Sequence, residues 1–289
     1  MDIFSQEHRI WFAVLVSESI VIFIINAYTL IVFARNRHLR KRSTYLIINL
    51  TVSDLLVGAV TEPLDLYYHE IDPGPGFSWQ KFSILIFHNI FQVASLSNLC
   101  LISLERLHAT LCPIRHYVIG KWVYVKAVIC SWLLAFVLSS VSVFLKMYQS
   151  VANGYLWASY VFITFIILTT SYVIIIANIK SNPPPQHFGA VVSDRKLSVT
   201  LFMITVVSIL TILPLGIYDA IPIGIRNRLP KKTLFHFIIT YHVSYYANAL
   251  VNPLIYASRT KEFRKAVKGL ICKDAPGSSS VQPIELHTM

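Results

Sequence analysis

Residues 127–145 read AVICSWLLAFVLSSVSVFL, a run of apolar and small residues without a single charge. A helix needs about 20 consecutive apolar residues to cross the hydrocarbon layer of a membrane, so this stretch predicts a membrane span. Six further stretches of similar character lie before and after it. The seven predicted spans are Ile10–Phe33, Tyr45–Tyr67, Phe82–Leu104, Ala127–Leu145, Tyr155–Ile179, Leu197–Ile225 and Leu234–Tyr256.

The composition of the whole chain points the same way. Hydrophobic residues make up 55% of the 289 residues and charged residues only 13%, whereas about 25% of a soluble domain is charged. Such a chain is too apolar to be disordered and has too few charges to cover a water-soluble globule. Its four cysteines have neither metal-ligand spacing nor the density of a disulfide scaffold. We therefore expect an all-α membrane protein built as a seven-helix bundle.

The placement of positive charge predicts the orientation. The formal net charge is +11, and 18 of the 25 lysines and arginines fall in one alternate set of loops and ends. Because cytoplasmic loops carry the excess of positive charge, that set is predicted to lie inside and the N-terminus outside. Charge spread over loops in this way does not predict a nucleic-acid partner. The first span is too long for a removable signal peptide and is expected to stay in the protein.

Polar side chains in the middle of spans suggest a first functional site. Asp54 lies mid-span in the second stretch, Ser95 in the third, and Asn248 and Asn252 share one face of the seventh. Ionisable residues are costly inside a bilayer and normally face the bundle interior. Their oxygens suit a hard cation such as sodium. The alternative is a structural hydrogen-bond network around Asp54, because polar bonds commonly join membrane helices.

A second cluster of charges is predicted at the cytoplasmic edge. The third span ends in Glu105 and Arg106, and Asp194 precedes the sixth span. An arginine held by Asp194 would tie the inner ends of two helices together, and a change of partner would let them separate. The alternative is that these charges only anchor the helices in lipid headgroups.

Taken together, the landmarks of the chain resemble the rhodopsin-like, or class A, family of G-protein-coupled receptors from Asn26 to Phe263. The matching residues, in chain order, are Asn26, Asn49, Leu50, Asp54, Glu105, Arg106, Trp132, Tyr172, Pro214 and the run from Asn252 to Tyr256. The resemblance implies a plasma-membrane receptor without catalytic activity that takes an extracellular small-molecule, lipid or peptide ligand and signals to a heterotrimeric G protein. It also implies a G-protein switch, formed by Glu105, Arg106, Tyr172, Asp194, Pro253 and Tyr256.

The resemblance also suggests how the chain is divided. We expect an extracellular N-terminus over residues 1–9, a receptor domain over 10–258, an amphipathic helix over 259–273 and a disordered cytoplasmic tail over 274–289. The amphipathic helix would lie on the inner leaflet and contact membrane lipid, with Cys272 as a lipidation site. No cofactor is expected apart from a possible allosteric sodium ion.

Several positions depart from the family pattern. Leu107 replaces the usual Tyr, Thr164 stands where the fifth span normally has Pro, and Ile212 stands where the sixth normally has Trp. The outer segments also lack the cysteines of the usual extracellular disulfide. These departures and the short second outer loop resemble the branch that contains melanocortin, cannabinoid, lysophospholipid and adenosine receptors.

The outer half of the predicted bundle is acidic, which favours a cationic peptide or amine as the ligand. The candidate ligand-binding residues are Glu62, Asp65, His88, Asn89, Gln92, Asp219 and His242. Two alternatives are a proton shared between Glu18 and Glu62 and an anionic ligand attracted by the basic third outer loop. Retinal is excluded, because the seventh span has no lysine to form a Schiff base.

Two other functional classes, a transporter and an intramembrane enzyme, fit the sequence less well. A transporter is expected to have related halves and interrupted helices, which the sequence lacks. A seven-span intramembrane zinc hydrolase would use His88, His236 and His242, but His236 and His242 are six residues apart and have no carboxylate base beside them.

Overall fold

The protein is seen here as a computed structural model, which describes residues 3–39, 44–71, 79–148, 152–181, 202–203, 206–214, 217–218, 221, 225, 228–259 and 261–273. All regular structure in these residues is helical, which confirms the expected all-α fold. The helices are α1 (Ile3–Arg35), α2 (Thr44–Leu56), α3 (Glu62–Ile71), α4 (Trp79–Leu111), α5 (Pro113–Val118), α6 (Lys121–Met147), α7 (Ala152–Ser181), α8 (Lys231–Arg259) and α9 (Lys261–Lys273). The helical segment 206–214 belongs to the predicted sixth span.

Among the described residues, five helical stretches are long and apolar enough to cross a membrane. They are Gln6–Arg35, Thr44–Tyr67, Phe82–Leu111, Lys121–Met147 and Ala152–Asn178, and they coincide with the first five predicted spans. The α8 helix has 29 residues and carries the predicted seventh span. The first helix begins at Ile3, seven residues before the predicted span, because the preceding polar residues continue the same helix.

The second span is interrupted by one wide turn. Residues Val57–Thr61 form a π-helix that separates α2 from α3, and the backbone N–H of Glu62 donates to the carbonyl of Val57. Pro63 follows directly, and proline has no N–H for the usual bond four residues back. A single π turn accommodates such a residue without ending the span. It also sets the direction in which the side chains of α3 face the bundle.

The distribution of polar and apolar side chains is the one expected in lipid. The α4 helix packs against α2, α3, α6 and α7, and its buried side chains include Gln92, Ser95 and Asn98. Large apolar side chains of α6 and α7, such as Leu133 and Phe162, are exposed. Polar groups therefore face the bundle interior, where other helices satisfy them, and apolar groups face outward.

The α9 helix packs on the inner end of α1. Phe263 and Ala266 are buried, and the ring of Phe263 lies 5.5 Å from that of Phe33. Glu262, Arg264 and Lys265 are exposed on the other face. The α9 helix lies within the stretch 259–273 for which the sequence predicts an amphipathic helix. The side chain of Cys272 lies outside the described residues.

Candidate functional site

The inner end of α4 carries a buried ion pair. Glu105 and Arg106 face each other through two guanidinium–carboxylate hydrogen bonds, and Arg106 is buried. A planar guanidinium matches the two oxygens of a carboxylate, so this pairing fixes the orientation of both side chains. Of the two carboxylates that the sequence offers to Arg106, the structure pairs it with Glu105. Asp194 lies outside the described residues.

Two further side chains hold Glu105. The Nε2 atom of His116, on α5, lies 3.2 Å from a carboxylate oxygen of Glu105. The hydroxyl of Tyr124, on α6, donates to the same oxygen over 3.4 Å. We call Glu105, Arg106, His116 and Tyr124 the inner cluster. It connects three helices at the end of the bundle that the sequence predicts to be cytoplasmic, so movement of any one of them disturbs the Arg106 pairing.

His116 and Tyr124 were not among the residues predicted from the sequence. The sequence signal for α5 was the Cys112–Pro113 step, because proline favours the first position of a helix. Nothing in the sequence indicates that this short helix folds back against Glu105.

Other residues of the predicted switch are placed as follows. Tyr172 is buried, and its ring lies 5.2 Å from that of Phe202 on the sixth span. Pro253 is buried within α8. Tyr256 belongs to α8, but its side chain lies outside the described residues. The switch residues whose side chains are described therefore line the bundle interior.

Asp54 connects three spans in the middle of the bundle. Ser95 of α4 donates to one carboxylate oxygen over 3.0 Å, and Asn252 of α8 donates to the other over 2.6 Å. Asp54, Ser95 and Asn252, which we call the Asp54 cluster, are buried. These contacts serve both roles that the sequence suggests, a structural hydrogen-bond network and a cation site.

A small cavity borders the Asp54 cluster. It has room for about one water-sized sphere, about 10 Å³, and Gln92, Ile212 and Asn248 lie in its wall. The side-chain oxygens of Asn248 and Asn252 are buried and have no hydrogen-bond partner among the described residues. A carboxylate beside free amide oxygens is a donor set that suits a small hard cation. The residues present therefore fit a sodium ion.

A hydrogen-bond chain below the Asp54 cluster joins α2, α4 and α6. Asn49 donates to the side-chain oxygen of Asn98 over 2.5 Å, and the indole N–H of Trp132 donates to the side-chain oxygen of Asn49 over 3.0 Å. Asn49 and Trp132 were sequence landmarks, whereas Asn98 was not among them. These hydrogen bonds explain why Trp132, which lies near lipid, turns its indole N–H toward the bundle interior.

The outer half of the bundle brings together three of the candidate ligand-binding residues. His242 Nε2 lies 2.9 Å from one oxygen of Asp65, and His88 Nδ1 lies 3.7 Å from the other. The hydroxyl of Tyr246 donates to the first oxygen over 3.1 Å. We call Asp65, His88, His242 and Tyr246 the outer cluster. It joins α3, α4 and α8, and both oxygens of Asp65 contact other members of the cluster.

The remaining candidates are distributed over the bundle. Glu62 is fully buried below the outer cluster, Gln92 lines the cavity beside Asp54, and Asp219 lies outside the described residues. Asn89 turns away from the outer cluster and donates to Ser142 of α6 over 3.4 Å. The structure thus places these residues at three different points along the bundle rather than around one pocket.

The three histidines of the zinc alternative are not brought together. His236 is 43% exposed at the outer end of α8, 3.7 Å from Glu7, whereas His88 and His242 face Asp65. Among the described residues, no group of three metal-binding side chains has the geometry to hold a metal ion.

Comparisons with known proteins agree with this architecture. The family described as "7 transmembrane receptor (rhodopsin family)" matches residues 25–256. The chain is similar to the alpha-1A adrenergic receptor of Mus musculus, with 24% identity over 85% of this chain and 64% of that protein. It is also similar to the neuropeptide FF receptor 2 of Mus musculus, with 32% identity over 40% of this chain and 29% of that protein. A third relative is the histamine H2 receptor of Canis lupus familiaris, with 24% identity over 88% of this chain and 76% of that protein. The chain spans less than two thirds of the length of the first two relatives.

Proposed function

The chain belongs to the rhodopsin family of seven-transmembrane receptors, and on that premise we propose that it passes an extracellular signal to an intracellular heterotrimeric G protein. This is a family of receptors and not of enzymes, which agrees with the prediction that the chain is not an enzyme. The inner cluster carries the proposal. A buried arginine held by its neighbouring carboxylate forms a two-state element, because Arg106 either stays on Glu105 or releases it to contact a partner.

The path between the two membrane faces is the second part of the proposal. The outer cluster, the Asp54 cluster and the inner cluster lie in sequence along α4 and are linked to α8 at the first two levels. Because packed helices change arrangement as units, a ligand that alters α8 relative to α4 changes the equilibrium at the cytoplasmic end. A sodium ion held by Asp54, Ser95, Asn248 and Asn252 would bias the same equilibrium.

We further propose a plasma-membrane location with the N-terminus outside. The uneven loop charge described above supports this orientation. For the ligand, the acidic side chains Glu62 and Asp65 favour a cationic amine or peptide. Two relatives are named for histamine and for a neuropeptide, which is in line with that class. The missing outer cysteines support the melanocortin, cannabinoid, lysophospholipid and adenosine branch, which stays a hypothesis.

The experiment measures activation of a panel of G proteins in cells that express the chain, with amines, peptides and lipids added outside. The parent is compared with Arg106→Ala at matched surface expression, and with Glu62→Gln and Asp65→Asn. We expect at least one ligand to activate the parent and Arg106→Ala to lose that response. Equal responses of the parent and Arg106→Ala would exclude coupling through this arginine. Unchanged potency in both carboxylate variants would exclude the acidic ligand site.

A further inference from the structure

The contact between His242 and Asp65 requires a proton. His242 Nδ1 lies 2.9 Å from the backbone carbonyl of Ile238, and a carbonyl oxygen only accepts hydrogen bonds, so Nδ1 is the donor. The other ring nitrogen, Nε2, lies 2.9 Å from an oxygen of Asp65. A histidine that carries hydrogen only on Nδ1 presents a lone pair to that carboxylate. The pair therefore holds together when a second proton lies between them.

The closed contact between Asp65 and His242 leaves room for a proton between the two side chains. Both oxygens of Asp65 are already contacted, one by His242 and Tyr246 and the other by His88. Glu62, one turn along α3, is fully buried, and neither of its oxygens has a hydrogen-bond partner among the described residues. In this arrangement three side chains contact Asp65, so an ammonium ligand would bind there in place of these contacts. A proton passes between hydrogen-bonded side chains without opening the helices.

The titratable groups around the pair come from every packed element that the structure describes. Glu18 on α1 and Asp65 on α3 are both close enough to Glu62 for their charges to interact with it. His88 contributes from α4, and Tyr245 and Tyr246 from α8. On the sixth span, Tyr218 stacks on Tyr241, which in turn stacks on His242. Carboxylates thus surround the outer cluster, and histidine is the side chain in the cluster that ordinarily changes charge between pH 5 and 8.

We propose that extracellular protons are a ligand of this receptor, bound between Asp65 and His242, and that proton binding stabilises the resting arrangement. The proposal rests on the proposed receptor function and specifies its regulation. The same structure that joins His242 to Asp65 also holds Arg106 on Glu105. A ligand that binds one arrangement better shifts the population towards it. Acid outside the cell should therefore suppress signalling, and loss of the proton should loosen α8 from α3 and favour release of Arg106.

The first test measures thermal unfolding of the purified full-length protein in phosphatidylcholine nanodiscs between pH 5.5 and 8.5. The variants are His242→Gln and Asp65→Asn, and the matched control is His236→Gln, an exposed histidine on the same helix. A histidine stabilised by a carboxylate contributes stability at low pH and loses it as pH rises. The unfolding temperature of the parent should exceed that of His242→Gln by about 2–4 °C at pH 5.5 and by nothing at pH 8.5.

The difference between the parent and His242→Gln should shrink steadily from pH 5.5 to pH 8.5. Asp65→Asn should remove the same pH-dependent component, and His236→Gln should follow the parent throughout. If His242→Gln does not fold, the pH dependence of the unfolding temperature of Asp65→Asn alone decides whether the proton proposal holds. A parent curve that runs parallel to both cluster variants at every pH would overturn the proposal.

The second test measures basal G-protein activation in cells at outer pH 6 and pH 8, in a Glu105→Gln background that weakens the inner cluster. We expect activation about fivefold lower at pH 6, and equal activation at the two values when His242→Gln is added. Activation that is independent of pH, or higher in acid, would overturn the proton proposal and leave the receptor function intact. If no variant activates any G protein, the receptor function fails, and the unfolding experiment still judges the proton site.

Discussion

Gly58 lies where α1 crosses the π turn of the second span, and replacing it with alanine tests this packing. An added Cβ at position 58 would lie 2.6 Å from Ile22 Cγ2, 2.9 Å from Ile22 Cβ and 2.9 Å from the backbone nitrogen of Phe23. Favourable contacts between carbon atoms are about 3.5–4.0 Å long, so α1 must retreat by roughly 1 Å. One of the colliding atoms belongs to the backbone and cannot rotate away.

The expected cost follows from two opposing effects. Overpacking of this kind costs about 1–3 kcal/mol, and the better helix propensity of alanine offsets about 1 kcal/mol of it. A net loss of up to about 2 kcal/mol lowers the unfolding temperature by up to about 8 °C. The retreat of α1 also weakens the hydrogen bond from Ser19 to the carbonyl of Gly58, which is now 2.8 Å long.

The assay is thermal unfolding of the purified protein in nanodiscs, monitored by intrinsic fluorescence. The matched control is Gly154→Ala in the first turn of α7, where an added Cβ meets nothing within 4 Å. We expect the control to be at least as stable as the parent. If Gly58→Ala and Gly154→Ala unfold at the same temperature, α1 does not cross the second span as described.

Three further predictions follow from the polar contacts and the inner amphipathic helix. Sodium at tenfold its dissociation constant should stabilise the parent by about 1.4 kcal/mol and so raise its unfolding temperature, whereas Asp54→Asn should not respond. With choline chloride at equal ionic strength as the salt control, an equal response of the two proteins would exclude the ion site. Trp132→Phe removes the 3.0 Å hydrogen bond to Asn49 and should cost about 1–2 kcal/mol of unfolding free energy, whereas Trp122→Phe, at an exposed position, should cost little. A larger loss of unfolding free energy in Trp122→Phe than in Trp132→Phe would contradict the interhelical network. Cys272→Ala should abolish labelling by a palmitate analogue in cells, and persistent labelling would show that another residue is acylated.

The helices were predictable because their causes are local. Long, mostly apolar runs predicted the positions of the first five spans, because a helix that crosses lipid must present apolar side chains over about 20 residues. The inward direction of Asp54 was predictable for the same reason, because an ionisable side chain has nowhere else to go in a bilayer. The family landmarks then supplied an order that composition alone does not contain.

The partners of these residues were not predictable, because they depend on how helices rotate and shift against one another. The sequence does not show that Arg106 pairs with its neighbour Glu105, and this contact appears only in the fold. His116 reaches Glu105 because α5 folds back beneath α4, and Asn89 turns away from its neighbour His88 because adjacent residues point about 100° apart on a helix. The pairing of His242 with Asp65 joins positions 177 residues apart in the chain, which no local pattern reveals.

Nucleotide exchange on purified heterotrimeric G proteins, measured with the receptor in nanodiscs and without any ligand, tests the central claim most directly. The claim is that Glu105 restrains Arg106 and that Arg106 drives coupling. Glu105→Gln weakens the pair while keeping the size of the side chain, so it should raise basal exchange above that of the parent for at least one G protein. The double variant with Arg106→Ala should return to the level of empty nanodiscs. Identical exchange rates for the parent and both variants would contradict the account.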